Sequence, residues 1–140
     1  MIGEATMHAE AMNWASAHWA SEGSEAGELR FPEVVAKLLE AGVESYCADL
    51  VRGQNTYYAP GGETYTVKSK LPVTPVADEF SEAGVAAAIR GAQADAIRYP
   101  EFLRQARAAG TVAYWVFLTG RRVVYLGRKG EIHVELFPSR

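Results

Sequence analysis

A single cysteine, Cys47, stands in 140 residues, so no disulfide can close within the chain. One thiol also excludes a CxxC redox pair and a thiolate zinc site. Long hydrophobic runs are missing too, and a membrane helix needs roughly 18 apolar residues in succession. The opening MIGEATMHAE has neither the basic nor the apolar region of a signal peptide. These absences lead us to expect a cytoplasmic protein with no membrane partner. An excess of charge is lacking as well: 14 Lys+Arg against 17 Asp+Glu give −3, which argues against nucleic acid as a partner. No GxxxxGK[ST] phosphate loop occurs, and His8 and His18 are ten apart rather than four. The sequence therefore implies no metal and no cofactor.

The composition that remains, 49% hydrophobic and 22% charged, is that of a globular protein. At this length one domain over residues 1–140 is expected. Its charge is unevenly spread. Residues 1–70 hold 5 Lys+Arg and 10 Asp+Glu, a balance of −5, whereas residues 71–140 hold 9 and 7, a balance of +2. Opposite signs suit head-to-tail contacts between copies, and a homodimer is the partner that follows. Ordinary scatter of solvated charge gives the same numbers.

Two phrases echo each other: FPEVVAKLLEAG at 31–42 and YPEFLRQARAAG at 99–110. The register holds well beyond them. Residues 31–67 and 99–135 align without a gap at a shift of 68, with 9 identities in 37 positions. Chance supplies roughly two or three at ordinary residue frequencies. The identities sit where structure needs them. Pro32 and Pro100 suit the start of a helix, where a missing N–H is harmless. Gly42 and Gly110 suit its left-handed end.

After each glycine the period falls from helical to alternating. VESYCADL, NTYYA and ETYTVK read as three strands, and so do TVAYWVFL, RVVYL and EIHVELF. Pro60-Gly61-Gly62 and Gly127-Arg128-Lys129-Gly130 read as hairpin loops. A further helix precedes each unit, over 4–20 and over 82–94, the second capped by Ser81. SEGSEAGE at 21–28 reads as a loop and LPVTPVAD at 71–78 as the linker. Three strands cannot bury an apolar face alone. The expected fold is α+β: a duplicated helix plus three-stranded antiparallel meander, pseudo-twofold, each copy preceded by a longer helix.

The blocks FPEVVAKLLEAGVESYCADL, TYY, GGET, FSEAGVAAAIRGAQ, YPEFLRQARAAG and GRRVVYLGRKGEIHVELFP occur in that order over residues 31–138. In this the chain resembles the YdfO-like proteins, short bacterial and prophage-associated chains, some labelled phage envelope protein. The resemblance implies an α+β fold and no reaction. It also leads one to expect a His at position 47, where this chain has Cys47.

Candidate chemistry is sparse. With a loop at 127–130, Leu126 opposes Glu131, Val124 opposes His133 and Arg122 opposes Glu135. Ile132, Val134 and Leu136 then face the core, and Glu131, His133 and Glu135 share the other face. That arrangement offers a general acid, part of a weak metal site, or a solvated polar face crossed by an Arg122–Glu135 pair. Arg121, Arg122, Arg128 and Lys129, with Tyr125 and Tyr114 nearby, offer a phosphate or nucleic-acid contact, or only a charged hairpin. Asp49 and Cys47 replace the Phe117 and Trp115 of the other copy. They mark either function or unequal burial. His8, Trp14, His18 and Trp19 cluster on the first helix, where packing explains them. Tyr46, Tyr57, Tyr58, Tyr65, Tyr114 and Tyr125 fall in the strands, as a ligand groove or as cross-strand pairs.

The function expected from these features is a non-enzymatic interaction or structural module. A small-ligand-binding protein or enzyme using the polar face around His133 is the alternative. Nucleic-acid binding through the 121–129 hairpin comes third.

Overall fold

Proline opens two helices and glycine closes them, as their backbones allow. In the computed structural model, which describes residues 14–138, α1 spans Ala15–Glu25 and α2 spans Phe31–Glu40. Strands β1 (Ser45–Asp49), β2 (Gln54–Tyr58) and β3 (Thr64–Lys68) follow. The second half repeats that order with α3 (Glu82–Gln93), α4 (Tyr99–Ala108), β4 (Thr111–Phe117), β5 (Arg122–Gly127) and β6 (Ile132–Leu136). The Ser81 hydroxyl caps α3, accepting from the Gly84 N–H at 3.0 Å. Of the helix expected over 4–20, residues 4–13 lie outside the described residues. Its continuation corrects the loop expected at 21–28, since α1 runs on to Glu25. Gly23 permits this, because a Cβ there would lie 2.4 Å from the Leu29 side chain that folds back onto the helix.

The fold is α+β, with four helices among the described residues on one face of a single six-stranded antiparallel sheet of order β3-β2-β1-β4-β5-β6. β1 and β4 join the two meanders, and Cys47 lies opposite Trp115. Those two positions are 68 apart, the shift at which the two sequence segments align. The hairpin registers keep the same spacing. Tyr46 opposes Tyr57 and Tyr114 opposes Tyr125. Tyr57 opposes Tyr65 and Tyr125 opposes His133. The eight described residues with positive φ form four pairs at this spacing: Gly27 and Asp95, Gly42 and Gly110, Gly53 and Arg121, Gly62 and Gly130.

The core lies between sheet and helices. Tyr46, Tyr57, Tyr114, Tyr125, Val116 and Val123 rise from the sheet to meet Val34, Leu38, Val85, Ile89, Phe102 and Leu103. No helix of the described residues is long and apolar enough to cross a membrane.

The opposite face of the sheet carries no helix among the described residues. There Tyr58 stacks on Trp115 and Trp115 on Phe117. This face corrects the orientation expected for β6. Leu126 pairs with Ile132, Tyr125 with His133 and Val123 with Glu135, one residue away from the expected register. The loop holds three residues rather than four. The Gly127 N–H donates to the Glu131 carbonyl and Gly130 takes φ +85. Ile132, Val134 and Leu136 therefore point away from the core and are 58%, 47% and 60% exposed. His133 and Glu135 turn toward the helices instead. Arg122 makes no cross-strand pair with Glu135. Its Nε donates to the Gly120 carbonyl at 3.4 Å.

Candidate functional site

Sheet and helices leave a cavity of about 270 Å³ between them. Its floor is aromatic. Tyr46, Tyr57, Tyr114 and Tyr125, one from each of β1, β2, β4 and β5, lie side by side there. The Tyr46 and Tyr57 rings are 5.2 Å apart, and the Tyr114 and Tyr125 rings 5.3 Å. Alternation within the strands puts all four on one face, and the shared register brings them level. Of the six strand tyrosines, four thus line the cavity. Tyr58 lies on the open face. Tyr65 packs against Trp14 and hydrogen-bonds to His18.

Helices supply the roof and the mouth. The first turns of α2 and α4 contribute Phe31, Pro32 and Val34, and Tyr99 and Phe102. α1 and α3 add Ala20, Ser24, Ile89 and Gln93, and Phe137 and Pro138 close one side.

Hydrogen bonding on the floor is incomplete. The Tyr114 hydroxyl donates to that of Tyr99 at 3.0 Å. The Asn55 amide reaches the Tyr57 hydroxyl at 3.5 Å. The hydroxyls of Tyr46 and Tyr125, each residue only 5% exposed, have no hydrogen-bond partner among the described residues. Burial raises the pKa of Tyr46, Tyr57, Tyr114 and Tyr125 and pushes Tyr99 up to about 12. All are phenols at neutral pH, able to donate.

Charge gathers at the mouth. Arg30 and Arg98, the N-cap residues of α2 and α4, both pair with Asp95. The Arg98 contact is 3.0 Å. Asp95 follows the end of α3 at φ +61, where the first half has Gly27. Its hydrogen bond from Arg30 holds the carboxyl below the ordinary range.

His133 sits beside this cavity rather than in it. Its Nδ1 is 2.8 Å from Glu82 of α3 and its Nε2 3.3 Å from Glu135. The flanking carboxylates are therefore Glu82 and Glu135. Glu131 turns to the hairpin and accepts from the Lys129 N–H. Only Glu135 of this group lines the cavity. Both ring nitrogens of His133 face carboxylates, and no group of three or more His, Cys, Asp and Glu among the described residues could hold a metal ion.

The other candidates separate. Asp49 lies on the face away from His133 and accepts from the Val51 and Arg52 N–H groups at 3.0 and 2.9 Å, closing the turn after β1. Arg121 and Arg122 sit at one end of β5, Arg128 and Lys129 at the other. Arg121 binds the Pro138 carbonyl. Arg128 binds the Val76 and Ala77 carbonyls, and Lys129 faces Glu79. These cations tie down the chain's own linker and end rather than forming one patch, and Tyr125 is buried away from them.

Arg30, Asp95 and Arg98 were not among the residues the sequence singled out. A signal existed. Carried upstream from Phe31 at the same shift, the alignment matches Arg30 with Arg98, Ala26 with Ala94 and Gly23 with Gly91.

A family model described as a protein of unknown function (DUF1398) matches residues 21–135. The chain belongs to that family. The match brings the α+β chain into an uncharacterised group and carries neither the YdfO name nor the phage association. No curated protein matches this DUF1398 chain.

Proposed function

We propose that this protein binds a small, largely apolar, planar molecule between its sheet and its helices. The reading makes the chain a binding module and gives no residue a catalytic role. One observation carries it: the hydroxyls of Tyr46 and Tyr125, on residues only 5% exposed, face an aromatic cavity without partners among the described residues. A ligand's acceptor can pair with these hydroxyls, each net hydrogen bond contributing about 1 kcal/mol. The volume of about 270 Å³ falls between the roughly 150 Å³ that takes benzene and the roughly 300 Å³ where drug-sized sites begin. A one- or two-ring molecule fits that space.

Indole, followed by calorimetry and by the NMR shifts of the tyrosine rings, tests this. Binding is expected, with shifts at Tyr46 and Tyr125. Val34→Phe places in the first half the side chain that its counterpart Phe102 already has, and it should fill the cavity and abolish binding. A folded protein that takes up no indole, or binds it equally well after the substitution, overturns the reading.

A second reading rests on the open sheet face. Phe117, Ile132, Val134 and Leu136 are exposed there on β4 and β6, whereas β2 and β3 present Thr56, Thr64, Thr66 and Lys68. A second copy turned about a twofold axis lays apolar strip on apolar strip, the self-complementary arrangement of a homodimer. Sedimentation velocity over a range of concentrations should show association that Val134→Lys removes. A monomer throughout overturns it.

A further inference from the structure

The ligand's charge can be inferred from the mouth of the same cavity, and the inference rests on the binding reading above. α2 and α4 both begin at that mouth, so two helix N-termini bring partial positive charge to one place. Arg30 and Arg98 stand at those two N-caps, with side chains 57% and 50% exposed and within reach of solvent. Among the described residues Asp95 is the carboxylate paired with both, and Glu33 adds only a weaker charge near Arg30. Asp95 takes Nη2 of Arg30 on one carboxylate oxygen and Nη1 of Arg98 on the other, so neither guanidinium is gripped by both prongs of its fork. Five N–H donors per arginine leave most of the pair's capacity unspent. Glu135, the other carboxylate on the lining, is engaged by His133.

The two helices also start differently. Glu33 caps α2 by accepting from the Arg30 N–H at 2.8 Å. Its counterpart Glu101 turns to Arg104 and Gln105 instead, and leaves the start of α4 without a side-chain cap. A helix start alone names no ligand. Here it opens onto the cavity lined by Tyr46 and Tyr125, residues only 5% exposed whose hydroxyls lack partners among the described residues.

We infer that the ligand is an aromatic or cyclic monocarboxylate. Its ring lies on the tyrosine floor and its carboxylate binds Arg30 and Arg98 at the mouth, in competition with Asp95. Asp95 is then a stand-in anion held at a left-handed position, a conformation rare outside glycine and tolerated best by Asp and Asn.

Calorimetry on the full chain with benzoate and its neutral isostere benzamide tests the inference. Benzoate should bind about tenfold or more tightly than benzamide, the scale of one charge-assisted hydrogen bond. Arg98→Gln and Arg30→Gln should each weaken benzoate by a similar factor and leave benzamide within about twofold. Asp95→Asn keeps the left-handed backbone and removes the competing charge, so benzoate should bind more tightly to it. Equal binding of the two probes, or arginine variants that weaken both alike, overturns the carboxylate while leaving the cavity reading standing. Failure of both probes, with indole failing as well, overturns the two together.

Discussion

Tyrosine is the residue on which stability and binding meet in this protein. Tyr99 has its pKa pushed up to about 12 by burial, while the unfolded chain ionises near its ordinary value of 10. A folded-state pKa above the unfolded one means that Tyr99's contribution is intact below about pH 10 and is lost as pH rises toward about 12. Burial moves Tyr46, Tyr57, Tyr114 and Tyr125 the same way, so their losses add. Tyrosinate absorbance and circular dichroism recorded together should change together above pH 10. Ionisation well before loss of structure would contradict this. Cys47 obeys the same rule. Burial first, then Asp49, raises its thiol pKa, so at pH 7 it should react with a disulfide reagent more slowly than in the unfolded chain. A rate equal to the unfolded one would refute that. Single residues were the least legible scale in the sequence. Asp49 is a turn former, which its position after a strand suggests only in retrospect. Asp95 hides because Asp at a left-handed position looks like any surface acid. Of the two carboxylates expected beside His133 only Glu135 is there, and the ring's second partner, Glu82, is 51 residues away in sequence.

Elements read more easily, because proline, glycine and periodicity are local. Helix starts at Pro32 and Pro100 and helix ends at Gly42 and Gly110 lie where the sequence puts them. Two failures have physical causes. α1 runs on through a Gly and Ser stretch because Leu29 folds back over Gly23. β6 presents its apolar residues outward because alternation fixes which residues share a face, not which face is covered. Register with β5 decides that, and Tyr125 pulls its neighbour His133 to the helix side. The first half held the answer, since Tyr65, at the position of His133, packs under Trp14. The paired glycines also make a prediction. Gly42 and Gly110 share φ +87 and +86, but a Cβ meets nothing within 4 Å at Gly42 and lies 2.3 Å from the Glu79 carbonyl oxygen at Gly110. Gly42→Ala should therefore cost only the left-handed strain, about 1–2 kcal/mol. Gly110→Ala must also displace the linker backbone and should cost clearly more. Urea unfolding of the two variants compares them directly, and equal losses would show that the linker yields freely.

At the scale of the whole molecule, two similar halves raise the question of whether they fold as one. The α+β class was legible because helical and alternating segments follow one another twice. How the meanders join was not, since strand order between the halves depends on one pairing, β1 with β4, that no local pattern encodes. That pairing makes the halves interdependent. Val116 and Tyr114 of the second half lie beside Tyr46 and Ala48 of the first, and all four residues are buried. α1 packs on α4 as well as on α2, so the helix layer joins the halves too. Each half alone would leave a sheet edge unpaired and its share of the tyrosine floor in water. Unfolding should accordingly be a single two-state transition. Trp14 and Trp19 report on the first half and Trp115 on the second, so variants keeping tryptophan in one half only should give coincident urea midpoints, matching that from far-ultraviolet circular dichroism. Two separated midpoints would mean that the β1–β4 junction couples the halves weakly, and the cavity that spans it would then open before either half unfolds.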